Sequence, residues 1–196
     1  MNQVLEIESH PFEPFVPEHS RVLMLGTFPP KPIRWSMKFY YPNKINDMWR
    51  IMGSVFYGDK LRFWNEDLKS FKLNDIKDFL HQQGIALYDT AVKARRLKDN
   101  ASDKFLDIVE PVDLGNFFTA QPTLAAVVTT GEKASSIVAS MAGCAVPKIG
   151  VAEHCEINGH KFLFFRMPSS SRAYPLAFDK KVEAYRSMFK AMGYDV

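Results

Sequence analysis

The sequence predicts an α/β protein: a three-layer α/β/α sandwich around a mainly parallel central sheet of about four strands. Three observations lead there. Four short runs, residues 22–25, 85–88, 124–130 and 162–165, are almost wholly apolar, as expected of strands covered on both faces. Between them lie stretches with apolar residues at three- and four-residue steps, the period of an amphipathic helix. Strand and helix patterns alternate along the chain, which favours a parallel sheet with helices on both faces.

Taken in order, residues 1–21 form a Pro-rich N-terminal arm and residues 22–196 a single domain. Pro11, Pro14 and Pro17 exclude a helix or central strand over 9–21, so an extended arm is expected, with Phe12 and Phe15 as anchors. After the first strand comes a loop rich in proline and aromatic residues. A helix then starts near Asn46-Asp47, with Met48, Ile51, Met52, Val55 and Phe56 on its inner face. A second helix spans about 73–82 and ends at Gly84, before the strand 85–88. Lys93, Arg95, Arg96 and Lys98 fall within 93–100, a basic stretch open to two readings: a solvated connection or a phosphate-facing loop. A short helix over 111–120, a strand over 124–130 and a helix over 132–141 follow. Asn158-Gly159 marks a hairpin turn, 162–165 is the last long strand, and a terminal helix covers about 178–192.

Composition removes several function classes. The 196 residues are 46% apolar and 24% charged, with a formal net charge of +3, ordinary for a soluble domain. Cys144 and Cys155 are the only cysteines, so neither a zinc ribbon nor a four-cysteine iron–sulfur cluster is available, and two idle thiols are expected. No metal or cofactor is expected. No apolar stretch approaches the roughly 20 residues of a membrane span, and residues 1–8 lack a signal-peptide pattern; a cytosolic monomer is expected. His154 and His160 read as structural or solvated.

In parallel α/β folds, ligands sit beyond the carboxyl ends of the strands. Here those ends are Gly26-Thr27, Asp89-Thr90, Thr130-Gly131 and Pro168-Ser169-Ser170-Ser171, so one crevice should collect four glycine-containing or polar clusters.

Those clusters, in that order, resemble the uracil-DNA glycosylase superfamily, closest to its hypoxanthine-DNA glycosylase and mismatch-specific thymine/uracil branches. The matching fragments are Leu25-Gly26-Thr27-Phe28-Pro29, Tyr40-Tyr41-Pro42, Asn46-Asp47-Met48-Trp49, Gly84-Ile85-Ala86-Leu87-Tyr88-Asp89, Thr130-Gly131-Glu132-Lys133-Ala134 and Pro168-Ser169-Ser170-Ser171. The resemblance runs from about residue 20 to the end. It implies a DNA repair glycosylase that hydrolyses the N-glycosidic bond of a deaminated or mismatched base, such as uracil or hypoxanthine, flipped out of DNA. It places Asn46 where the family acts on the water or the sugar. An Asn oxygen is a poor base, so positioning and electrostatics would carry catalysis; the same Asn fits a helix N-cap. Asp47 is the neighbouring carboxylate, either a base or a charge at the helix N-terminus. Gly26, Thr27, Phe28, Pro29, Tyr41 and Thr130 would line the base pocket, with Phe28 or Tyr41 stacking on the base. Pro168, Ser169, Ser170, Ser171 and Arg172 would meet DNA phosphates. Two departures from the family pattern stand out: the first loop, usually Gly-Ser-Met-Pro-Gly, reads Gly26-Thr27-Phe28-Pro29-Pro30 here, and Thr130 stands where an Asn reads the base. The alternatives are a module that binds lesions without cutting and a hydrolase acting on a free nucleoside.

Overall fold

The computed structural model describes residues 5–98 and 103–196. Parts of two expectations, the first four residues of the arm and Asp99-Asn100 of the basic stretch, lie outside them.

Among the described residues the strands and helices run, in order, β1 (Ile7–Ser9), β2 (Val22–Gly26), α1 (Met48–Tyr57), β3 (Trp64–Asn65), β4 (Ser70–Phe71), α2 (Leu73–Gln83), β5 (Ile85–Asp89), β6 (Ala91–Arg96), β7 (Leu106–Pro111), α3 (Leu114–Ala120), β8 (Ala126–Thr130), α4 (Glu132–Ala142), β9 (Ala152–Ile157), β10 (His160–Met167) and α5 (Phe178–Ala191). The central sheet has the order β5-β2-β8-β10-β9. Four strands are parallel and β9 is antiparallel, so the expected four-stranded sheet gains one edge strand. That strand was hidden by polarity: Glu153, His154 and Glu156 are exposed and only Cys155 of β9 is buried.

The layers follow from chain direction. The chain steps from β2 outward to β5, then from β5 across to β8 and from β8 to β10 in the opposite sense. Right-handed crossovers put α1 and α2 on one face and α3 and α4 on the other. α5 packs on α1. The sheet between them is dry: every residue of β2, β5 and β8 is buried, and so are Phe162, Phe164, Phe165 and Met167 of β10. The β9–β10 hairpin turns through Asn158 and Gly159, at φ 52° and 82°, the left-handed pair that a tight two-residue loop requires.

A second, three-stranded antiparallel sheet, β1-β6-β7, lies beyond β5. It revises the expectation for the basic stretch, because Lys93–Arg96 is strand rather than loop. Its cations face carboxylates on neighbouring strands: Lys93 pairs with Glu110 at 2.6 Å, Arg95 with Asp107 at 3.1 Å and Arg96 with Glu8 at 2.8 Å. The arm crosses the domain edge. Phe15 exchanges backbone hydrogen bonds with Leu87 on the outer edge of β5, at 3.0 and 2.8 Å, and its ring packs edge-on to Phe39. Phe12 packs against Trp35 and Tyr40.

Truncating a ring at the centre of this core should be costly. Phe164 is fully buried on β10. Phe164→Ala is expected to lower the unfolding free energy by about 3–5 kcal/mol, read by urea denaturation.

Candidate active site

The carboxyl ends of β2, β5, β8 and β10 lie side by side, with Gly26 opposite Asp89 and Thr130 opposite Met167. The chain's direction across the sheet reverses between β2 and β8, which opens a crevice at that point.

Gly26 forms the floor. A Cβ there would come 2.5 Å from Asp89 Oδ1 and 3.6 Å from Tyr41 Oη, so only glycine lets the strand end, the carboxylate and the phenol approach. Thr90 ties this end down, donating from its backbone N and its hydroxyl to the Gly26 carbonyl, at 2.9 and 3.1 Å. Tyr41 holds a left-handed backbone at φ 51°, unusual for a non-glycine residue. Its hydroxyl lies 3.2 Å from Thr130 Oγ1, bridging the loop after β2 to the end of β8. Burial pushes the Tyr41 phenol well above its usual range, so it stays a neutral hydrogen-bonding group.

Asn46 and Asp47 reach the rim from the start of α1. Asn46 Oδ1 accepts from the Met48 N–H at 2.9 Å, an Asx-turn contact one residue outside the helix; the N-cap position expected for Asn46 falls to Asp47, whose carbonyl takes the first helical bond from the Ile51 N–H. The Asn46 amide NH2 and the second lone pair of Oδ1 remain for other partners. The Asp47 N–H donates to the Ser170 carbonyl at 2.9 Å, and Asn46 is bridged to Ser171, so the start of α1 and the serine loop are joined by backbone. The Asp47 side chain is buried and does not cap α1. Its Oδ1 instead accepts from Arg172 Nε at 2.9 Å and lies 3.6 Å from Arg50 Nη1. Lys181 of α5, also buried, donates to the Ser171 carbonyl at 2.6 Å, and Tyr185 donates to the Pro168 carbonyl at 3.0 Å. Burial lowers the Lys181 ammonium below its usual range, with Asp47 opposing the shift. The serine loop is therefore gripped from below by α5 and from the side by α1. Ser169 approaches Gly131 at the start of α4.

Phe28 sits apart from this group. Its ring is 8% exposed, packed with Ala91, Ala94 and Leu106, with His10 edge-on at 5.5 Å and the Arg96 guanidinium 5.5 Å from its centroid. The Pro29 carbonyl accepts from Arg96 Nη2 at 2.7 Å. Phe28 and Pro29 also line a cavity of about 310 Å3 between the arm and the proline loop, with Glu8, Pro11, Trp35 and Arg96. Asn46, Tyr41, Thr130 and the serine loop do not line that cavity. The structure thus gathers Gly26, Tyr41 and Thr130 at the floor and Asn46 through Arg172 at the rim, and leaves Phe28 and Pro29 against the second sheet.

Solved and curated proteins point the same way. A solution NMR structure from Methanosarcina acetivorans, provisionally described as a uracil DNA glycosylase, superposes with a TM-score of 0.66 at 21% identity. The match covers 96% of this chain and all of that one. The chain has the uracil-DNA glycosylase fold. The resemblance to that superfamily holds on its hypoxanthine side as well: a hypoxanthine DNA glycosylase from Methanosarcina barkeri (strain Fusaro / DSM 804) is 29% identical over 96 residues, 49% of this chain. That match spans about half the length of the curated relative, 54%. No family model matches the chain.

Two residues at this crevice, His10 and Asp103, escaped the sequence, and a third, Asp89, was marked only by its strand-end position. His10 Nε2 lies 2.9 Å from Asp89 Oδ2, and both side chains are buried, at 2% and 9% exposure. The arm therefore supplies a partner to the carboxylate beneath Gly26. Asp103 Oδ2 accepts from the Thr27 hydroxyl at 2.7 Å. Only the strand-end position of Asp89 was a signal; His10 and Asp103 carried none, since their partners are 79 and 76 residues away. Among the described residues no group of three or more His, Cys, Asp or Glu is placed to hold a metal ion, and no helix is long and apolar enough to cross a membrane.

Burial raises the Asp103 carboxyl above the usual value; the Thr27 hydrogen bond opposes this, and Asp89 adds to it. The native state then holds the Asp103 proton more tightly than the unfolded chain does. Its contribution to stability is lost as pH rises from the ordinary carboxylate range through the raised value. Asp103→Asn keeps an acceptor for Thr27 and removes that loss. The variant should gain stability relative to the parent as pH rises above the ordinary carboxylate range of about 4, measured by urea denaturation at each pH.

Proposed function

We propose that this chain is a monofunctional DNA glycosylase that hydrolyses the N-glycosidic bond of a deaminated or mismatched base, such as uracil or hypoxanthine, flipped from DNA. The observation that carries this reading is the joining of Asn46 to the serine loop through Asp47 and Ser170, at the rim of a crevice floored by Gly26, Tyr41 and Thr130. The names of the two relatives support the same chemistry.

An extruded base needs a closed, polar-edged slot, and extrusion costs a few kcal/mol, least for damaged or mispaired bases. Tyr41 and Thr130 supply hydroxyls at the end of β8 to meet a base edge. The sugar would lie at the rim, beside Asn46. With its Oδ1 held by the Met48 N–H, Asn46 is fixed in orientation. It can direct a water at C1′ through its remaining lone pair while its NH2 faces the sugar–phosphate. Such help is positional and electrostatic, suited to a reaction whose leaving base departs as an oxocarbenium-like sugar forms.

In this reading Asp47 is a positioning residue rather than the base. Its carboxylate is turned to Arg172 and Arg50, which fixes the arginine next to the serine loop. The half-exposed Arg172 and the loop N–H groups would then meet the phosphates flanking the flipped nucleotide. The occupied Asp47 also motivates a second reading, in which the crevice holds a lesion without cutting. Lesion-specific, salt-sensitive binding with no release of free base would favour it.

Asn46→Ala should abolish base release from duplexes carrying a single uracil or hypoxanthine, by roughly 100-fold or more, and cost about 1 kcal/mol through the lost hydrogen bond to the Met48 N–H. Asn46→Ser retains an oxygen for that N–H and should restore stability but not activity. Restored activity in the Ser variant would reduce Asn46 to a structural contact at the start of α1. Arg172→Ala should weaken binding evenly across sequences and reduce the salt dependence by about one ion, as read by fluorescence anisotropy at several salt concentrations.

A further inference from the structure

The two cysteines, expected to be idle, are not apart. Cys144 Sγ and Cys155 Sγ lie 2.9 Å from each other, tight for two unbonded thiols. Both are free, Cys155 buried and Cys144 half-buried. Two independent features of the fold bring them together. Gly143, at φ 61°, ends α4 in a left-handed turn, and the Cys144 N–H folds back to the Ala139 carbonyl at 3.0 Å. Cys155 is held opposite Phe162 by the ladder between β9 and β10, and is the one buried residue of β9. The backbone therefore fixes both partners before any bond forms between them.

We propose that Cys144 and Cys155 are a modification site, closed to an intramolecular disulfide by a hydroperoxide. The half-buried Cys144 is the sulfur a peroxide reaches first. Its sulfur takes one oxygen, the peroxide O–O bond breaks, and the first water (or alcohol) leaves, giving a sulfenic acid. Cys155 then attacks that sulfur: the S–S bond forms, the S–O bond breaks, and the Cys155 proton departs with the hydroxyl as a second water. Two thiols are oxidised by two electrons and one peroxide is reduced. Burial and the Cys144 contact push the Cys155 thiol up to about 12, so it is a poor first nucleophile and fits the resolving role, where proximity replaces reactivity.

The bond would fasten both ends of the segment 145–154. Its last three residues belong to β9 and pair with β10, and the stretch before them is held to the sheet by the Gly150 N–H donating to the Arg166 carbonyl at 2.9 Å and by the bridge between Ile149 and Arg166. It carries Val146, Ile149 and Val151 exposed beside the edge strand of the sheet. Oxidation would thus staple α4 to β9 at the molecule's edge, and the inference does not rest on the glycosylase reading.

The test uses the full chain, reduced, then treated with a small excess of hydrogen peroxide, unfolded, alkylated and weighed intact. The expected product is a monomer that has lost two hydrogens and takes up no alkyl group, while added reductant restores two alkylated thiols. Tryptic peptides should contain Cys144 joined to Cys155. In Cys155→Ser, a sulfenic acid trapped by dimedone should accumulate at Cys144. In Cys144→Ser, Cys155 should remain a thiol under the same treatment. Two alkylatable thiols in the oxidised parent, a disulfide between molecules, or sulfinic acid at Cys144 in place of the bridge would overturn the proposal. The parent measurement stands even where a serine variant fails to fold.

Discussion

The constraint from which the rest follows is the place of β2 in the central sheet. It is hydrogen-bonded to parallel neighbours on both edges, β5 and β8, and none of its residues is exposed. A strand so placed sends the chain one way to β5, and the next crossover has to come back over it to β8. The connections therefore diverge to opposite faces, and the gap they leave lies beyond the carboxyl ends of β2 and β8. Gly26 and Thr130 stand at that gap because those strands end there. The crevice is a by-product of strand order, and the side chains around it have only to be short at the floor and polar at the rim.

The rim depends on one buried carboxylate. Asp47 lies among Arg50, Arg172 and Lys181, three cations around a single negative charge. Removing one partner of a buried pair leaves the other uncompensated, which costs far more than the pair contributes. Here the excess is positive and faces the loop of Pro168, Ser169, Ser170 and Ser171. That balance suits a polyanionic ligand, which would complete the neutralisation that the protein leaves undone.

Much of this was legible in the sequence where the signals were local. The apolar runs of β2, β5, β8 and β10 mark covered strands, Asn158-Gly159 marks the hairpin, and Gly84 and Gly143 mark helix ends within a residue or two. What was not legible depends on partners far along the chain. β6 looked like a basic loop because the register shifts between Ala91 and Ala94 break the two-residue alternation. Its charges are explained only by Glu8, Asp107 and Glu110 on other strands. Phe28 was placed in the base pocket by its neighbours in sequence, but its ring is claimed by Ala91, Ala94 and Leu106 of a sheet that was not foreseen. For Asn46 the expected helix cap is displaced by one residue: its Oδ1 holds the Met48 N–H in a local turn while Asp47 takes the N-cap position.

The arm adds a matter of timing. His10 reaches Asp89 across 79 residues, and Glu8 reaches Arg96 across 88. On the ribosome, the segment that shields one side of the crevice emerges well before the strands that receive it. At ordinary translation rates of roughly 5–20 residues per second the wait is several seconds. During that interval Phe15 has no strand to lie against, because the outer edge of β5 does not yet exist to be covered. Closing so long a loop is entropically late as well. The piece of chain made early is therefore the one fastened late, and the floor beneath Gly26 is completed only when it arrives.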